Sequence, residues 1–288
     1  MTRKILIFAF IVIISSSCAN QLFFHPDKNV YKRFNPEKYN YEEVYFKSSD
    51  NTKLHGFFIR PEKKPEGTII HFHGNAQNLT SHFGFVEWVP DYNFNLFVFD
   101  YRGYGKSEGS PDRKGLYEDC IAAVEFIKQK KDKNSENIFL LGQSLGGAYA
   151  LSILEKYDEK TIKAVAADSA FYSFRQITAD KIKLIPLLSL FRKPLSYLMA
   201  TDTKSPEHVL GKINGIPLLV LHGKKDRIVP FSHGAYIFKN TASEKKRFEM
   251  IEDGRHTDAF ITHGEKYKII VSEFFINSLK KENFNHLK

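Results

Sequence analysis

Hydrophobic residues in this chain gather into short, dense runs spaced by polar turns and by stretches of helical period. Thr68-Ile69-Ile70-His71-Phe72-His73, Leu96-Phe97-Val98-Phe99-Asp100, Ile138-Phe139-Leu140-Leu141 and Ile162-Lys163-Ala164-Val165-Ala166-Ala167 are four such runs. Ile216-Pro217-Leu218-Leu219-Val220-Leu221 and Arg247-Phe248-Glu249-Met250-Ile251 complete the set. Branched and aromatic side chains at this density predict strands covered on both faces. Ahead of them, Val44-Tyr45-Phe46 and Leu54-His55-Gly56-Phe57-Phe58-Ile59 flank the turn-rich Ser48-Ser49-Asp50-Asn51, which predicts an antiparallel hairpin.

Helical patterns occupy about 79–90, 114–131, 145–157, 232–240 and 264–280. Strand–helix alternation over such a length predicts an α/β fold, a mostly parallel sheet flanked by helices. There is no internal repeat. The interval 171–213 breaks the alternation, and its Ile182-Lys183-Leu184-Ile185-Pro186-Leu187-Leu188-Ser189-Leu190-Phe191 predicts a short helical insert over the sheet edge. Residues 41–288 read as a single domain. Residues 19–40 read as a tether with one apolar plug around Leu22-Phe23-Phe24, which docks either on the domain or at a lipid surface.

The first eighteen residues change the picture of location. Arg3-Lys4, ten apolar residues from Ile5 to Ile14, and Ser15-Ser16-Ser17-Cys18 have the layout of a signal peptide, too short in its apolar part for a comfortable membrane span. Small residues ending at a cysteine resemble the bacterial lipoprotein cleavage box, with Cys18 as the lipidated residue; serine three positions before it departs from the usual leucine. The expectation is an exported protein held at the cell-envelope membrane by an N-terminal lipid, with plain secretion or an uncleaved anchor as alternatives.

Composition adds limits. The apolar fraction of 42%, with 26 Phe and 14 Tyr, supplies a sizeable core and excludes a disordered chain. The net charge of +9 falls to +7 once Arg3 and Lys4 are set aside, 40 basic against 33 acidic. Its lysines are scattered, without the dense basic block of a nucleic-acid binder, so nucleic acid is not an expected partner. The N-terminal segment points to a membrane, and the apolar insert 182–191 to a small-molecule, acyl or lipid substrate. Cys120, the one other cysteine, lies in a helical apolar pattern and is expected to be a buried, unreactive thiol.

The chemistry is concentrated at Gly142-Gln143-Ser144-Leu145-Gly146-Gly147, between a predicted strand and a predicted helix. G-x-S-x-G in that context is a nucleophile elbow, with Ser144 at the tip of a sharp turn and glycines where backbones nearly touch. The amide of Leu145, at the helix start, is positioned to stabilise an oxyanion. Serine needs a base held in one tautomer by an acid. His256 lies in the loop after the last strand and is the expected base, with His263 as runner-up. Asp226 follows the strand 216–221 and is the expected acid, with Asp168 as the alternative. The second oxyanion amide is expected at Asn75, made accessible by Gly74, with His73 ordering that loop. No Cys, Asp or Glu spacing supports His71 and His73 as metal ligands, and no loop resembles a nucleotide site, so neither metal nor cofactor is expected. Asp100-Tyr101-Arg102-Gly103-Tyr104-Gly105-Lys106-Ser107 reads as a fixed structural turn.

Taken together, His-Gly-Asn-Ala at 73–76, Asp-Tyr-Arg-Gly-Tyr-Gly-x-Ser at 100–107, Gly-x-Ser-x-Gly-Gly at 142–147 and His-Gly-x-x-Asp-x-x-Val-Pro at 222–230 resemble the α/β-hydrolase superfamily. They are most similar to its short-capped, membrane-associated branch of serine aminopeptidase-like and acyl-thioesterase-like hydrolases. The resemblance implies an eight-stranded sheet with an antiparallel second strand. It also implies nucleophile, acid and base at Ser144, Asp226 and His256, and oxyanion amides at Asn75 and Leu145. Arg255-His256-Thr257 departs from the Gly-His-Asn common there. The function expected is hydrolysis of a carboxylic ester or thioester through an acyl-enzyme. An amidase or peptidase of the same fold, or a non-catalytic lipid-binding lipoprotein, stands as the alternative.

Overall fold

A computed structural model describes residues 24–32, 34–130 and 136–280. Cys18 and the expected signal peptide lie outside the described residues. Ten strands follow in chain order: β1 (His25–Pro26), β2 (Asn40–Lys47), β3 (Lys53–Arg60), β4 (Thr68–Phe72), β5 (Ala76–Gln77), β6 (Asn95–Asp100), β7 (Ile138–Gln143), β8 (Ile162–Asp168), β9 (Leu218–Gly223) and β10 (Lys246–Ile251). Eight of them form one sheet in the order β10-β9-β8-β7-β4-β6-β3-β2. β3 runs antiparallel to both of its neighbours, and every other pairing in the sheet is parallel. This is the α/β-hydrolase arrangement, with the antiparallel second strand that the resemblance implies.

The two-residue period of the strands divides the core. Ile70 and Phe72, Phe97 and Phe99, Val165 and Ala167, and Leu218 and Val220 face one helical layer. Their chain neighbours Ile69, Leu96, Val98, Ala164, Ala166, Leu219 and Leu221 face the other. The helices are α1 (Leu79–His82), α2 (Arg113–Gln129), α3 (Leu145–Ser152), α4 (Phe174–Lys183), α5 (Arg192–Met199), α6 (Ser232–Asn240) and α7 (Glu265–Ser278). α2 starts where the Asp112 carboxylate accepts from the Gly115 amide at 2.9 Å. It buries Leu116, Cys120, Ala123, Val124 and Ile127 in the first layer. Cys120 is free and fully buried, and burial raises its thiol pKa well above the ordinary value. Tyr267, Val271, Phe274 and Phe275 of α7 fill the second layer.

Two expectations are corrected. The helix expected over 79–90 is only the turn α1 followed by 3-10 turns at Phe83–Phe85 and Val89–Tyr92. Gly84 weakens a helix there and Pro90 lacks the amide that would continue it. Leu79, Phe83, Val86, Trp88 and Val89 nevertheless all enter the second core layer, so burial survives the broken period. The insert 171–213 is helical, comprising α4 and α5, but it sits over the carboxyl ends of the strands rather than beside the sheet. Phe171, Ile177 and Lys181 stand in the wall of a cavity there.

The Asp100–Ser107 turn is a scaffold, as its sequence suggests. Arg102 donates to Asp119 at 2.8 Å, to Asp50 at 2.8 Å and to Ser48 at 3.1 Å, tying α2 to the β2–β3 turn. The chain ahead of β2 is docked from Phe24 onward. Phe24 is buried in the first core layer, and β1 pairs in parallel with β5. Among the described residues, no helix is long and apolar enough to cross a membrane.

Candidate active site

β7 is buried along its whole length and delivers the chain to a turn that only small neighbours permit. Ser144 has φ of 53° and ψ of −115°, a conformation strained for a residue with a side chain. A Cβ on Gly142 would stand 2.6 Å from the Gly146 carbonyl, and one on Gly146 would stand 2.0 Å from the Phe72 carbonyl. The turn is held from behind by the Ser144 amide, which donates to the Asp168 carbonyl at 2.9 Å. α3 then begins at Leu145, so its free amides and the positive end of the helix face the serine.

The other site residues arrive on loops that leave the carboxyl ends of neighbouring strands. His256, beyond β10, places Nε2 3.0 Å from Ser144 Oγ and Nδ1 2.8 Å from Asp226 Oδ2. Asp226, beyond β9, is fixed by its second oxygen, Oδ1, which accepts from the amides of Ile228 and Val229 at 2.8 and 2.9 Å. Burial works to raise the Asp226 carboxyl. The His256 hydrogen bond and charge, together with those two amides, outweigh it and hold the pKa below the ordinary value. An ionised Asp226 fixes the imidazole with Nδ1–H toward the carboxylate, leaving Nε2 free to take a proton from Ser144. The structure thus brings Ser144, His256 and Asp226 into one line. His263 is not part of it; its Nε2 lies 3.7 Å from Asp253.

Asp168 is close by but occupied otherwise. Its carboxylate accepts from Gln143 Nε2 at 3.0 Å and from Ser169 Oγ at 3.1 Å, and burial raises its pKa to about 6. Gln143 Oε1 in turn lies 3.2 Å from His71 Nε2, which burial keeps neutral. Ser169 Oγ accepts from the Thr257 amide at 3.0 Å, beside His256. Ser169 and Thr257 both have positive φ, so strained residues cluster behind the Ser144–His256 pair.

Asn75 and Leu145 border the same cavity as Ser144 and His256. The Asn75 loop is braced from below in a way its sequence did not reveal. Tyr104 donates its hydroxyl to the Asn75 carbonyl at 2.7 Å, and Tyr101 donates to the His73 carbonyl at 3.0 Å. His73 holds the Gly74 carbonyl through Nδ1 at 2.7 Å, the ordering role expected of it. From outside, β1 lies along β5, the Asp27 amide donates to the Gln77 carbonyl at 3.1 Å, and Asn78 Nδ2 donates to Asp27 Oδ1 at 2.6 Å.

The cavity is about 340 Å³, with Leu145, Phe171, Ile177, Ile228 and Val229 as its apolar wall. His82, which no motif or spacing singles out, also lines it. Its Nε2 lies 2.9 Å from the Ala76 carbonyl, and burial pushes its pKa down to about 3, so the ring stays neutral. With Nε2–H committed to that carbonyl, Nδ1 is a buried acceptor without a hydrogen-bond partner among the described residues.

Comparison with known proteins agrees with this architecture. The family described as serine aminopeptidase, a group of hydrolases, matches residues 63–209. The uncharacterised protein YfhR of Escherichia coli is 36% identical over 280 residues, covering 96% of this chain and 93% of that one. The uncharacterised membrane protein YNL320W of Saccharomyces cerevisiae is 29% identical over 238 residues, covering 82% of this chain and 80% of its own. An esterase from Pyrococcus furiosus superposes with a TM-score of 0.74 at 23% identity, covering 88% of this chain and 98% of the esterase. By strand order, family match and relatives, this chain belongs to the serine aminopeptidase family of the α/β-hydrolase superfamily.

Proposed function

We propose that the protein is a serine hydrolase that cleaves carboxylic esters or thioesters. The observation that carries this reading is the line from Ser144 Oγ through His256, at 3.0 Å, to Asp226, at 2.8 Å. Ser144 Oγ attacks the substrate carbonyl carbon as its proton passes to His256 Nε2, and the amides of Asn75 and Leu145 receive the oxyanion. His256 then returns the proton to the leaving alcohol or thiol, which departs and leaves the acyl group on Ser144. Water, deprotonated by the same imidazole, releases the acid and frees the serine.

The cavity supports an acyl substrate over an amino-terminal peptide. Its volume suits a small ligand, its wall is mostly apolar, and its described lining carries Lys181 and no carboxylate to hold a cationic amine. The proposal includes membrane anchoring through Cys18 or the apolar run before it. A yeast relative described as a membrane protein supports that placement.

The test is labelling with a fluorophosphonate probe, wild type beside Ser144→Ala and His256→Ala, followed by turnover of an acyl ester against its matching amide. Wild type alone should label, and the ester should turn over faster. A folded wild-type protein that takes no label would sink the reading and favour a binding protein on a hydrolase fold.

A further inference from the structure

The segment between α4 and the end of α5 is built with its polarity reversed. Leu184, Ile185, Leu187, Leu188, Leu190, Phe191, Tyr197 and Leu198 are all exposed, Leu187 and Leu190 by 88% and 87%. In α5 the only buried side chain is Ser196, while the neighbouring Tyr197 and Leu198 face outward. An amphipathic helix covering its own domain would do the opposite. So many large apolar side chains in one stretch mark a surface meant to be covered.

The charge around this surface selects what covers it. From 181 to 200 the chain carries Lys181, Lys183, Arg192 and Lys193 and no acidic residue. The flanking carboxylates are turned into the domain: Asp180 lies 3.0 Å from His233 Nε2, and Asp202 accepts from Ser173 Oγ at 2.7 Å. Pairing this face with a second copy of itself would set basic groups against basic groups with no acid to offset them. An anionic lipid surface satisfies both features, since the apolar side chains enter the acyl boundary and the cations meet the headgroups.

The path of the chain points the same way. The insert leaves the carboxyl end of β8, and β1 lies beside β5, just past the carboxyl end of β4. These strands are parallel, so Phe24 and the insert stand at the same end of the sheet as the cavity. The apolar run Ile5 to Ile14 ends ten residues before Phe24, a reach of at most about 35 Å.

We propose that the surface 184–198 docks on an anionic lipid bilayer and turns the cavity mouth toward the membrane. Ile228, in the cavity wall, is itself exposed, so the cavity carries an outward apolar side chain of its own. An acyl chain leaving the bilayer would then enter the cavity without crossing water.

The test uses the full chain carrying Leu187→Trp, with emission read in vesicles of phosphatidylcholine and phosphatidylglycerol in equal parts. The chain's own Trp88 is buried and gives a constant background that the unsubstituted protein measures. Leu187 is so exposed that the substitution leaves packing intact, which an unchanged thermal midpoint verifies. Emission should shift to shorter wavelength and fall by roughly half when the acyl chains carry bromine, as expected for a side chain at the headgroup boundary. Emission identical to that in buffer overturns the proposal, because a docked insert must carry the indole out of water. A shift without vesicles that grows with protein concentration also overturns it, in favour of a second copy on this face. Equal quenching in phosphatidylcholine alone removes the anionic requirement. The readout is independent of catalysis, so its failure and the failure of the ester reading are separable.

Discussion

Replacing Gly146 by alanine adds one methyl group where α3 passes the carboxyl end of β4. The new carbon would stand 2.0 Å from the Phe72 carbonyl oxygen, 2.4 Å from its carbon and 2.5 Å from the His73 carbonyl oxygen. Carbon–oxygen contacts close at about 3.3 Å, so the two backbones must part by roughly 1.3 Å. Neither can yield cheaply, because β4 is paired on both sides and α3 is packed against the core. Overpacking of this kind costs about 1–3 kcal/mol of stability. The larger effect falls on chemistry, since the parted segments carry Ser144 and Leu145 on one side and the approach to Asn75 on the other. A misplacement near 1 Å lowers turnover by roughly a hundredfold. The assay is kcat and KM on a soluble short-chain ester, with a thermal melt, for Gly146→Ala beside Gly84→Ala. Gly84 has nothing within 4 Å of its added carbon and should behave as wild type. Wild-type kcat in Gly146→Ala would refute the argument that the close approach sets the site's geometry.

Tyr104→Phe removes the hydroxyl that braces the Asn75 carbonyl, and it should lower kcat about fivefold with KM little changed, the value of one hydrogen bond. Equal loss in kcat and rise in KM would point to general loosening instead. Asp168 should leave a signature in stability. Burial raises its pKa to about 6 from 3.8, so between those values the folded protein keeps a proton that the unfolded chain releases. Its contribution therefore favours folding near pH 4 and is lost as pH rises through 6, by about 3 kcal/mol in all. Urea unfolding of wild type and Asp168→Asn should show the difference between them shifting by that amount across the window; parallel curves would contradict it.

What could be read from the chain was what is local to it. The strands β4, β6, β7, β8 and β9 are legible because each is buried on both faces and so written as an apolar run. By contrast β10, expected to be covered as they are, is the edge strand and leaves most of its residues part-exposed, which is why its run mixes charged and apolar residues. Ser144 is legible because the close approaches at Gly142 and Gly146 admit no side chain, and His256 and Asp226 because each lies in the loop that leaves the carboxyl end of a strand. Long-range hydrogen bonds leave no such mark. Tyr101 and Tyr104 read as ordinary turn residues until their hydroxyls are found under the Asn75 loop. The chain from His71 through Gln143 to Asp168 joins three strands and has no spacing of its own. The false helix over 79–90 had the opposite origin, in core burial strong enough to imitate a helical period across Gly84 and Pro90.

The docked N-terminal segment moves the boundary of the working enzyme. Counting from the sheet, a shortened protein would begin at Asn40. That cut would empty the place of Phe24 in the core, bare the backbone edge of Ala76–Gln77 and remove the partners of Asn78. An expression boundary drawn at the first sheet strand would yield a protein whose fold survives while the rim of its reaction centre loosens. Tags and fusions therefore belong ahead of Phe24.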